Sequence, residues 1–149
     1  MIQMSQIAIT HITSKDTRYQ GVWDLREEVL RRPLGMSLKN EDLSKDHEDV
    51  IFIAEEEDKV IGCLMLHDTG NGIMQFRQMA VYDEWQGKGI GRQLMLAAEQ
   101  YCVQQGYSSI TLHARSVAVG FYKGLGYAVD GDEFAEVGIP HYIMNKKLS

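Results

Sequence analysis

The sequence predicts an α/β fold in which one mixed β-sheet carries helices on both faces. Apolar runs typical of strands alternate with segments of helical periodicity, in the order β-α-(α)-β-β-β-α-β-α-β-β. The 149 residues, 44% of them hydrophobic, suffice for one hydrophobic core. Neither an internal repeat nor a proline-rich linker interrupts the chain, which contains two prolines. We therefore expect residues 1–149 to form a single domain.

The first part of the chain predicts a strand, a helix and a long connection. Isoleucine alternates with polar or small side chains over residues 7–12, as in a half-buried strand. Apolar side chains recur at helical spacing within residues 17–32, and Pro33 is expected to stop that helix. The polar and acidic residues 34–49 then form a connection with room for one short helix near residues 40–45. Long connections in compact domains are often functional.

The central part predicts three strands followed by a long helix. The nearly continuous apolar runs at residues 50–54 and 60–66 are typical of buried strands joined in a hairpin. Residues 73–82 predict the next strand. A glycine-rich turn then opens a helix that runs to about Gln105 with its apolar positions on one face, and Gly106 ends it.

The C-terminal part predicts three more strands and one helix. Residues 109–113 are typical of a strand and residues 117–125 of a short helix. Residues 127–129 and 138–148 predict the two strands that complete the sheet. Glu133 and Glu136 lie between these last strands, and the alternative to a catalytic role for them is that of solvated loop charges.

Composition and charge argue against several classes of function. The formal net charge of −6 disfavours a nucleic-acid binder that works through bulk charge, and it mildly favours a basic acceptor such as an amine. Cys63 and Cys102 have no metal-type spacing, so no metal is expected. Residues 1–6 lack the features of a signal peptide, and the apolar run 60–66 is too short to span a bilayer. We therefore expect a cytoplasmic protein with reduced thiols and no membrane partner.

The most informative segment is the glycine-rich turn between a strand and the long helix, Gln86-Gly87-Lys88-Gly89-Ile90-Gly91-Arg92. Glycine tolerates positive φ and lets backbone N–H groups approach a diphosphate, while the helix N-terminus adds about half a positive charge. Lys88 and Arg92 would add charge at its rim. The spacing matches neither the Rossmann fingerprint nor the P-loop. The alternative is a glycine-rich helix cap that binds no ligand.

Three motifs in order resemble the GNAT superfamily of N-acetyltransferases. The glycine-rich turn is similar to the family's Q/R-x-x-G-x-G/A motif. Upstream, Met79-Ala80-Val81 resembles the strand that pairs with the pantetheine arm of the cofactor. Downstream, Ala118-x-x-Phe121-Tyr122-x-x-x-Gly126-Tyr127 resembles the segment A-x-x-[FL]-Y-x-x-x-G-[FY]. The resemblance covers the chain from about Val50 to its end.

A narrower resemblance concerns the small bacterial ElaA-like type. It is carried by Leu25-Arg26-x-x-Val29-Leu30-x-x-Pro33 and by Glu133-Phe134-x-x-x-Gly138-Ile139-Pro140-His141. The family resemblance implies the acyl-CoA N-acyltransferase fold, with a twisted, mostly antiparallel mixed sheet. It also implies acetyl-CoA as co-substrate, no metal, and direct attack of a primary amine on the thioester.

The resemblance further implies a set of cofactor contacts: Met79, Ala80, Val81, Gln86, Gly87, Lys88, Gly89, Ile90, Gly91, Arg92, Arg115 and Tyr122. Tyr122 is the candidate general acid, since a phenol is suited to protonate a thiolate leaving group. Its alternative role is to pack a helix against the sheet. Arg115 departs from the family, which often has asparagine there, so this side chain either reaches a cofactor phosphate or lies on the surface.

The acceptor site is less defined. His141 is the candidate general base, with Glu133 and Glu136 as weaker candidates and an ordered water chain as the alternative. His113 is expected to be structural. Arg26, near the apolar stripe of its helix, and Arg77, in phase with Met79, would suit an acceptor that carries a carboxylate or phosphate.

Three functions stay open on the sequence. The first is an acetyltransferase that acts on a small-molecule amine. The second is a non-catalytic acyl-CoA-binding or sensing module on the same fold, and Tyr122 separates it from the first. The third is an enzyme that acetylates a protein lysine or N-terminal amine. Relatives in the family are often dimers, so a homodimer is compatible with all three.

Overall fold

The computed structural model describes residues 6–148, and the residues that bear on a signal peptide lie almost entirely outside this range. Seven strands form one sheet with the order β1-β2-β3-β4-β5-β7-β6. Their bounds are β1 Ala8–Ile12, β2 Val50–Glu56, β3 Lys59–Asp68, β4 Ile73–Val81, β5 Ser109–Arg115, β6 Ala128–Glu136 and β7 Ile139–Lys147. The β4/β5 pair is parallel and the other neighbours are antiparallel. The predicted mixed, mostly antiparallel sheet is therefore confirmed.

The described part of the chain has three α-helices, α1 Tyr19–Arg26, α2 Ile90–Gln104 and α3 Val119–Gly124. Five 3₁₀ turns also occur within residues 6–148. They are Arg32–Leu34, Leu38–Asn40, Ser44–His47, Asp83–Trp85 and Ser116–Ala118, the last directly before α3. The prediction of one regular helix over residues 17–32 was wrong in its second half, because a π-helical turn, Glu27–Arg31, follows α1.

Pro33 does not stop a helix. It lies within the 3₁₀ turn Arg32–Leu34, at an initial position where the missing N–H of proline costs no hydrogen bond. The turn ends instead at Gly35, whose φ of 70° is left-handed. The single short helix predicted near residues 40–45 is replaced by the two 3₁₀ turns Leu38–Asn40 and Ser44–His47.

Helices cover both faces of the sheet, as the sequence predicted. Alternate residues of a strand point to opposite faces, so Ile51 and Ile53 join one hydrophobic cluster and Phe52 joins the other. The first cluster includes Val22 and Leu25 of α1. The second includes the buried face of α2, formed by Ile90, Leu94, Met95, Ala98 and Cys102. We call these the α1 face and the α2 face.

Strand β6 is much longer than the strand predicted over residues 127–129. It runs over Ala128–Glu136, with an irregularity in its pairing with β7 between Asp130 and Phe134. The alternative that placed Glu133 and Glu136 on a loop was therefore wrong, since both lie on this strand. The strand is an exposed edge rich in acidic side chains, which are depleted in strands generally but common on edges.

Candidate active site

The site begins where two neighbouring strands separate. Parallel pairing of β4 with β5 runs only from the Ile73/Ser109 pair to the Phe76/Leu112 pair. Beyond that point β4 continues to pair with β3 on its other side, and β5 continues to pair with β7. The edge of β4 that faces β5 is therefore open from residue 77 onward. Such an edge presents backbone N–H and C=O groups without a partner strand.

A bulge in β4 lies beside this gap. Pairing with β3 shifts by one residue between the Met65/Arg77 and Cys63/Ala80 pairs. Within this shift Gln78 has a φ of 56°, a left-handed conformation that is strained for a residue with a side chain. The Gln78 side chain accepts a hydrogen bond from Arg31 Nη2 at 3.3 Å. The bulge re-aims the following residues 79–81, which the sequence assigned to cofactor contact.

The glycine-rich turn follows β4 and opens α2. Gly87 has a φ of 76° and Gly89, the N-cap of α2, a φ of 81°. No heavy atom lies within 4 Å of a Cβ built at either glycine. The first hydrogen bond of the helix runs from Gln93 N to Gly89 O at 3.0 Å. Over residues 6–148, no backbone or side-chain acceptor pairs with the amide N–H groups of residues 87–92.

These unpaired amides and the helix dipole together form a site suited to an anion. Open space at the two glycines and the absence of internal acceptors fit a diphosphate that approaches the backbone closely. The first N–H groups of any helix lack an intrahelical acceptor, so the open space and the positive φ at Gly87 and Gly89 are what distinguish this turn from an ordinary helix start. The residues present therefore fit the nucleotide diphosphate of coenzyme A.

The side chains around the turn have different roles. Gln86 Nε2 donates to Val81 O at 3.0 Å and to Asp83 Oδ1 at 3.2 Å, so this side chain fastens the turn to the end of β4. Lys88 Nζ lies 5.4 Å from the centre of the Trp85 ring. Arg92 is exposed and makes no ion pair with the described residues.

Tyr122 of α3 lies at the gap. It lines the same small cavity as Met79 and Leu112. Burial raises the pKa of its phenol to about 12, and no hydrogen-bond partner contributes to that shift. The ring also stacks edge-to-face with Phe121 and Tyr127, at centroid distances of 5.0 Å and 6.0 Å. Tyr122 therefore packs α3 against its surroundings and also lines the gap, with the pKa of its phenol raised by burial.

A buried ion-pair network lies under the connection that follows α1. Arg26 is 1% exposed, and its Nη1 contacts Asp46 Oδ2 at 2.7 Å. The Tyr19 hydroxyl donates to the same carboxylate. Burial alone would raise the pKa of Asp46, but the hydrogen bond from Tyr19 and the arginine partners outweigh it and hold the pKa below its usual value. Arg26 presents almost no surface, so its contact with an acceptor stays a prediction that would require Asp46 to move away.

Arg77 joins this network from β4. Its Nη2 contacts Asp46 Oδ1 at 2.8 Å and its Nε contacts Asp49 Oδ2 at 2.8 Å. The other oxygen of Asp49 accepts a hydrogen bond from His67 Nδ1 at 2.6 Å. Arg77 also lines the gap between β4 and β5. The predicted phase with Met79 is not kept, because the bulge at Gln78 directs Met79 to the α2 face, whereas Arg77 contacts the connection on the α1 face. Two carboxylates compensate its charge, which weakens the reason to expect an anionic acceptor there.

The gap has a histidine on its β5 side. His113 lines the cavity opposite Arg77, and its Nδ1 lies 2.9 Å from Glu136 Oε1 on β6. His141 is 5% exposed, with Nδ1 donating to Ile139 O at 2.8 Å and Nε2 lying 3.5 Å from Glu136 Oε2. The Glu136 carboxylate thus lies between the imidazole rings of His113 and His141.

The two remaining candidates lie on the surface. Glu133 on β6 is exposed and has no hydrogen-bond or ion-pair partner within residues 6–148. Arg115 at the end of β5 is also exposed. Sequence reasoning treated His113 as structural, because no local signal shows that β5 leaves β4 one residue before it. Alternation along β5 was the available signal, since it places His113 on the face opposite to the buried Leu112.

A second, larger concavity of about 730 Å³ lies at the other end of β5. Its lining includes Ser109 and Thr111 at the start of β5 and Asn145 on β7. Because it excludes the residues of the gap, it is separate from the candidate site.

Within residues 6–148, no cluster of three or more His, Cys, Asp or Glu side chains could hold a metal ion. No helix in that range has the length and apolarity needed to cross a membrane.

Comparison with known proteins agrees with this geometry. The acetyltransferase (GNAT) domain family matches residues 13–148. The uncharacterized N-acetyltransferase YjcF of Bacillus subtilis is 28% identical over 138 residues, which cover 91% of this chain and 96% of YjcF. The chain spans about half the length of two further B. subtilis relatives that it matches, at 32% and 33% identity.

Solved structures share the fold. A Lactobacillus plantarum protein described as a candidate N-acetyltransferase has a TM-score of 0.87 at 26% identity, over 96% of this chain and 99% of that chain. ElaA of Escherichia coli has a TM-score of 0.84 at 16% identity, over 95% of this chain and 99% of that chain, which shows a common fold. The resemblance drawn from the three sequence motifs is confirmed, and the chain belongs to the GNAT family of acetyltransferase domains.

Proposed function

We propose that this chain transfers the acetyl group of acetyl-CoA to the primary amine of a small molecule. The observation that carries the proposal is the row of unpaired amides at residues 87–92, placed directly after a strand whose open edge leads to Tyr122. A diphosphate at the turn and a thioester at the gap would lie at the two ends of the pantetheine arm of one acetyl-CoA molecule.

The residues of the α2 face would hold the co-substrate. The amides of residues 87–92 would bind the diphosphate, with Lys88 and Arg92 adding charge at the rim. The open edge of residues 79–81 would pair with the amide groups of the pantetheine arm. Arg115 at the end of β5 is exposed, but alternation along β5 places it on the α1 face with His113, so its contact with a cofactor phosphate stays a prediction.

The chemistry that acetyl-CoA supplies is an activated thioester carbonyl. An N–H group on the open edge of residues 79–81 would stabilise negative charge on the carbonyl oxygen, an effect worth about 3 kcal/mol per donor. Tyr122 would donate its phenolic proton to the departing sulfur. Because burial raises its pKa to about 12, the phenol stays protonated well above the ordinary value of about 10.

Two features support a compact amine as acceptor. The net charge of −6 attracts a cation over an anion. Asp46 and Asp49 hold the connection of residues 34–49 against Arg77 of β4, so this segment is fixed beside the acceptor side of the gap. A segment held by buried ion pairs leaves less room for an extended peptide than an open groove would.

Calorimetry with coenzyme A and a thiol-release assay test the proposal together. We expect coenzyme A to bind, and acetyl-CoA to release thiol with at least one member of a panel of amines, polyamines, amino sugars and peptides. Tyr122→Phe should lower kcat about 10²–10⁴-fold with unchanged coenzyme A affinity, the range of a lost general acid. Tyr107→Phe is the matched control, since its hydroxyl binds Asp68 at 2.8 Å beyond the far end of α2.

The outcomes separate the competing functions. Coenzyme A binding without thiol release for any acceptor would instead indicate an acyl-CoA sensor. Release with peptides alone would indicate a protein acetyltransferase. No binding of coenzyme A would contradict the whole proposal.

In the pH profile of kcat, no basic limb due to Tyr122 should occur below pH 10, because the raised pKa keeps its proton in place. Assembly into a homodimer stays a prediction, which sedimentation velocity would check.

A further inference from the structure

The gap between β4 and β5 connects the two faces of the sheet. Leu112 belongs to the hydrophobic cluster of the α2 face, and the next residue, His113, points to the opposite face. Tyr122 also packs on the α2 face, whereas Arg77 contacts the connection on the α1 face. A nucleophile that enters from the α1 face therefore meets a thioester held from the α2 face.

This arrangement separates the two proton transfers of the reaction. A general acid for the leaving sulfur belongs on the α2 face, where Tyr122 lies. A general base for the incoming amine belongs on the α1 face, within reach of the gap. His113 is the histidine that lines the gap, and its side chain is 36% exposed.

The hydrogen bond to Glu136 fixes the state of this imidazole. An ionised carboxylate can only accept, so the proton of neutral His113 lies on Nδ1, which is 2.9 Å from Glu136 Oε1. The lone pair then lies on Nε2 and is available as a proton acceptor. A nucleophile, a base and a third group that orients the base form the usual arrangement for proton abstraction. The ring of Phe134 contacts His113 edge-to-face at 5.3 Å and supports its orientation.

His141 is less suited to the same task. It is 5% exposed and does not line the gap. Its Nδ1 is committed to Ile139 O at 2.8 Å, and its Nε2 faces Glu136 at 3.5 Å. The charged and titratable groups around His113 are thus Glu136 on β6, His141 on β7, Arg77 on β4 and Tyr122 on α3, with Arg115 two residues further along β5.

We propose that His113 is the general base of the acetyl transfer and that Glu136 is its positioning residue, an inference that rests on the proposed function. The amine nitrogen forms a bond to the acetyl carbon and gives one proton to His113 Nε2. The carbon–sulfur bond breaks, and the sulfur takes its proton from the Tyr122 hydroxyl. The exposed imidazolium then loses its proton to water, and the phenolate regains one from water.

His113→Gln tests the base directly, with His11→Gln on the edge strand β1 as the matched control. We expect kcat/KM for the amine to fall about 10²–10⁴-fold in His113→Gln, with coenzyme A affinity unchanged. The pH profile should lose the part of its acidic limb that the imidazole contributes, because a glutamine side chain takes up no proton, and keep the part that reflects deprotonation of the amine. A rise in pH should partly rescue the variant, since more of the amine is then neutral. His11→Gln should keep the wild-type rate and profile.

A second measurement needs no turnover. In protein labelled with ¹⁵N at histidine, nuclear magnetic resonance should show the Nδ1–H tautomer for His113. Glu136→Gln should shift its population toward Nε2–H and lower kcat/KM less than His113→Gln does. Wild-type activity and profile in His113→Gln, or a dominant Nε2–H tautomer in the wild type, would overturn this inference alone. A wild type that transfers acetyl to no amine would overturn it together with the proposed function.

Discussion

The two sides of the gap between β4 and β5 differ in the groups that form them, which are backbone amides on one side and charged side chains on the other. On the α2 face the site consists of backbone, with amide groups of residues 87–92 that have no acceptor among residues 6–148 and two glycines at positive φ. On the α1 face it consists of side chains, with Arg26, Asp46 and Arg77 joined in buried ion pairs. The first side is defined by six consecutive residues, whereas the second draws on three separate segments of the chain.

This difference suggests how the two sides can change independently. A backbone site for a diphosphate depends on chain conformation and tolerates many side chains around it. A site made from buried charges depends on each partner, because the loss of one leaves the other charge uncompensated. We therefore expect the acceptor side to control stability and acceptor choice, and the cofactor side to control coenzyme A affinity with little dependence on single side chains.

The largest expected effect is on the acceptor side. Asp46→Ala removes the carboxylate that both Arg26 and Arg77 contact, and it leaves Arg26 buried without its partner. We expect the free energy of unfolding to fall by about 3–5 kcal/mol, as measured by urea denaturation at neutral pH. Glu48→Ala, an exposed change in the same connection, should cost less than about 0.5 kcal/mol. Equal stability of the two variants would contradict the importance of the network.

The stability that Asp46→Ala loses depends on pH, and the direction of this dependence follows from the pKa of Asp46. The folded protein holds the pKa of Asp46 below its value in the unfolded chain, about 3.9. The contribution of the ionised Asp46 to the free energy of unfolding is therefore complete at pH values above that unfolded pKa. The contribution is lost as the pH falls through the folded pKa. The difference in stability between wild type and Asp46→Ala should therefore shrink in acid. Folded Asp46→Ala should still bind coenzyme A normally, and a parallel loss of affinity would break the separation of the two sides.

The next effect concerns the backbone side. Gly89→Ala places a Cβ at a φ of 81° and in the open space where the diphosphate would lie. We expect coenzyme A to bind about tenfold more weakly by calorimetry, since charge-assisted hydrogen bonds of about 1.5–3 kcal/mol each are disturbed. Gly106→Ala is the matched control, because Gly106 has a φ of 85°, similar open space, and lies beyond the other end of α2.

Both glycine variants should lose about 1–2 kcal/mol of stability, because a side chain is strained in the left-handed region. Only Gly89→Ala should weaken coenzyme A binding. Equal affinity in the two variants would show that the turn does not contact the diphosphate.

The same contrast explains what the sequence could predict. The glycine-rich turn is local, so its residues, its position before α2 and its ligand class all follow from one short segment. The ion pair of Arg26 with Asp46 spans 20 residues, and its formation depends on how the connection folds back over α1. Helical periodicity placed Arg26 near the buried stripe but could not supply its partner, so a contact with an acceptor was the expectation.

The His113–Glu136 contact was hidden for a related reason. It depends on the sheet order in which β7 lies between β5 and β6. It also depends on β6 extending to Glu136, whereas the sequence predicted a strand that ends at Val129. Alternation along β5 was visible in the sequence, but the point at which β5 leaves β4 was not, because strand separation has no signature in either strand alone.

The smallest expected effect is the contribution of the Lys88 side chain to coenzyme A affinity, on the cofactor side of the gap. Lys88 lies at the rim of the turn with its ammonium over the Trp85 ring, 5.4 Å from the centre, and is exposed to solvent. A surface charge of this kind contributes about 0.2–1 kcal/mol, so Lys88→Ala should weaken coenzyme A binding no more than about fivefold. The difference from wild type should vanish as salt rises toward 1 M, where the Debye length is about 3 Å. Lys15→Ala, an exposed lysine before α1, should bind like the wild type at every salt concentration. A loss in Lys88→Ala larger than that in Gly89→Ala would mean that a side chain, and not the row of amides, holds the diphosphate.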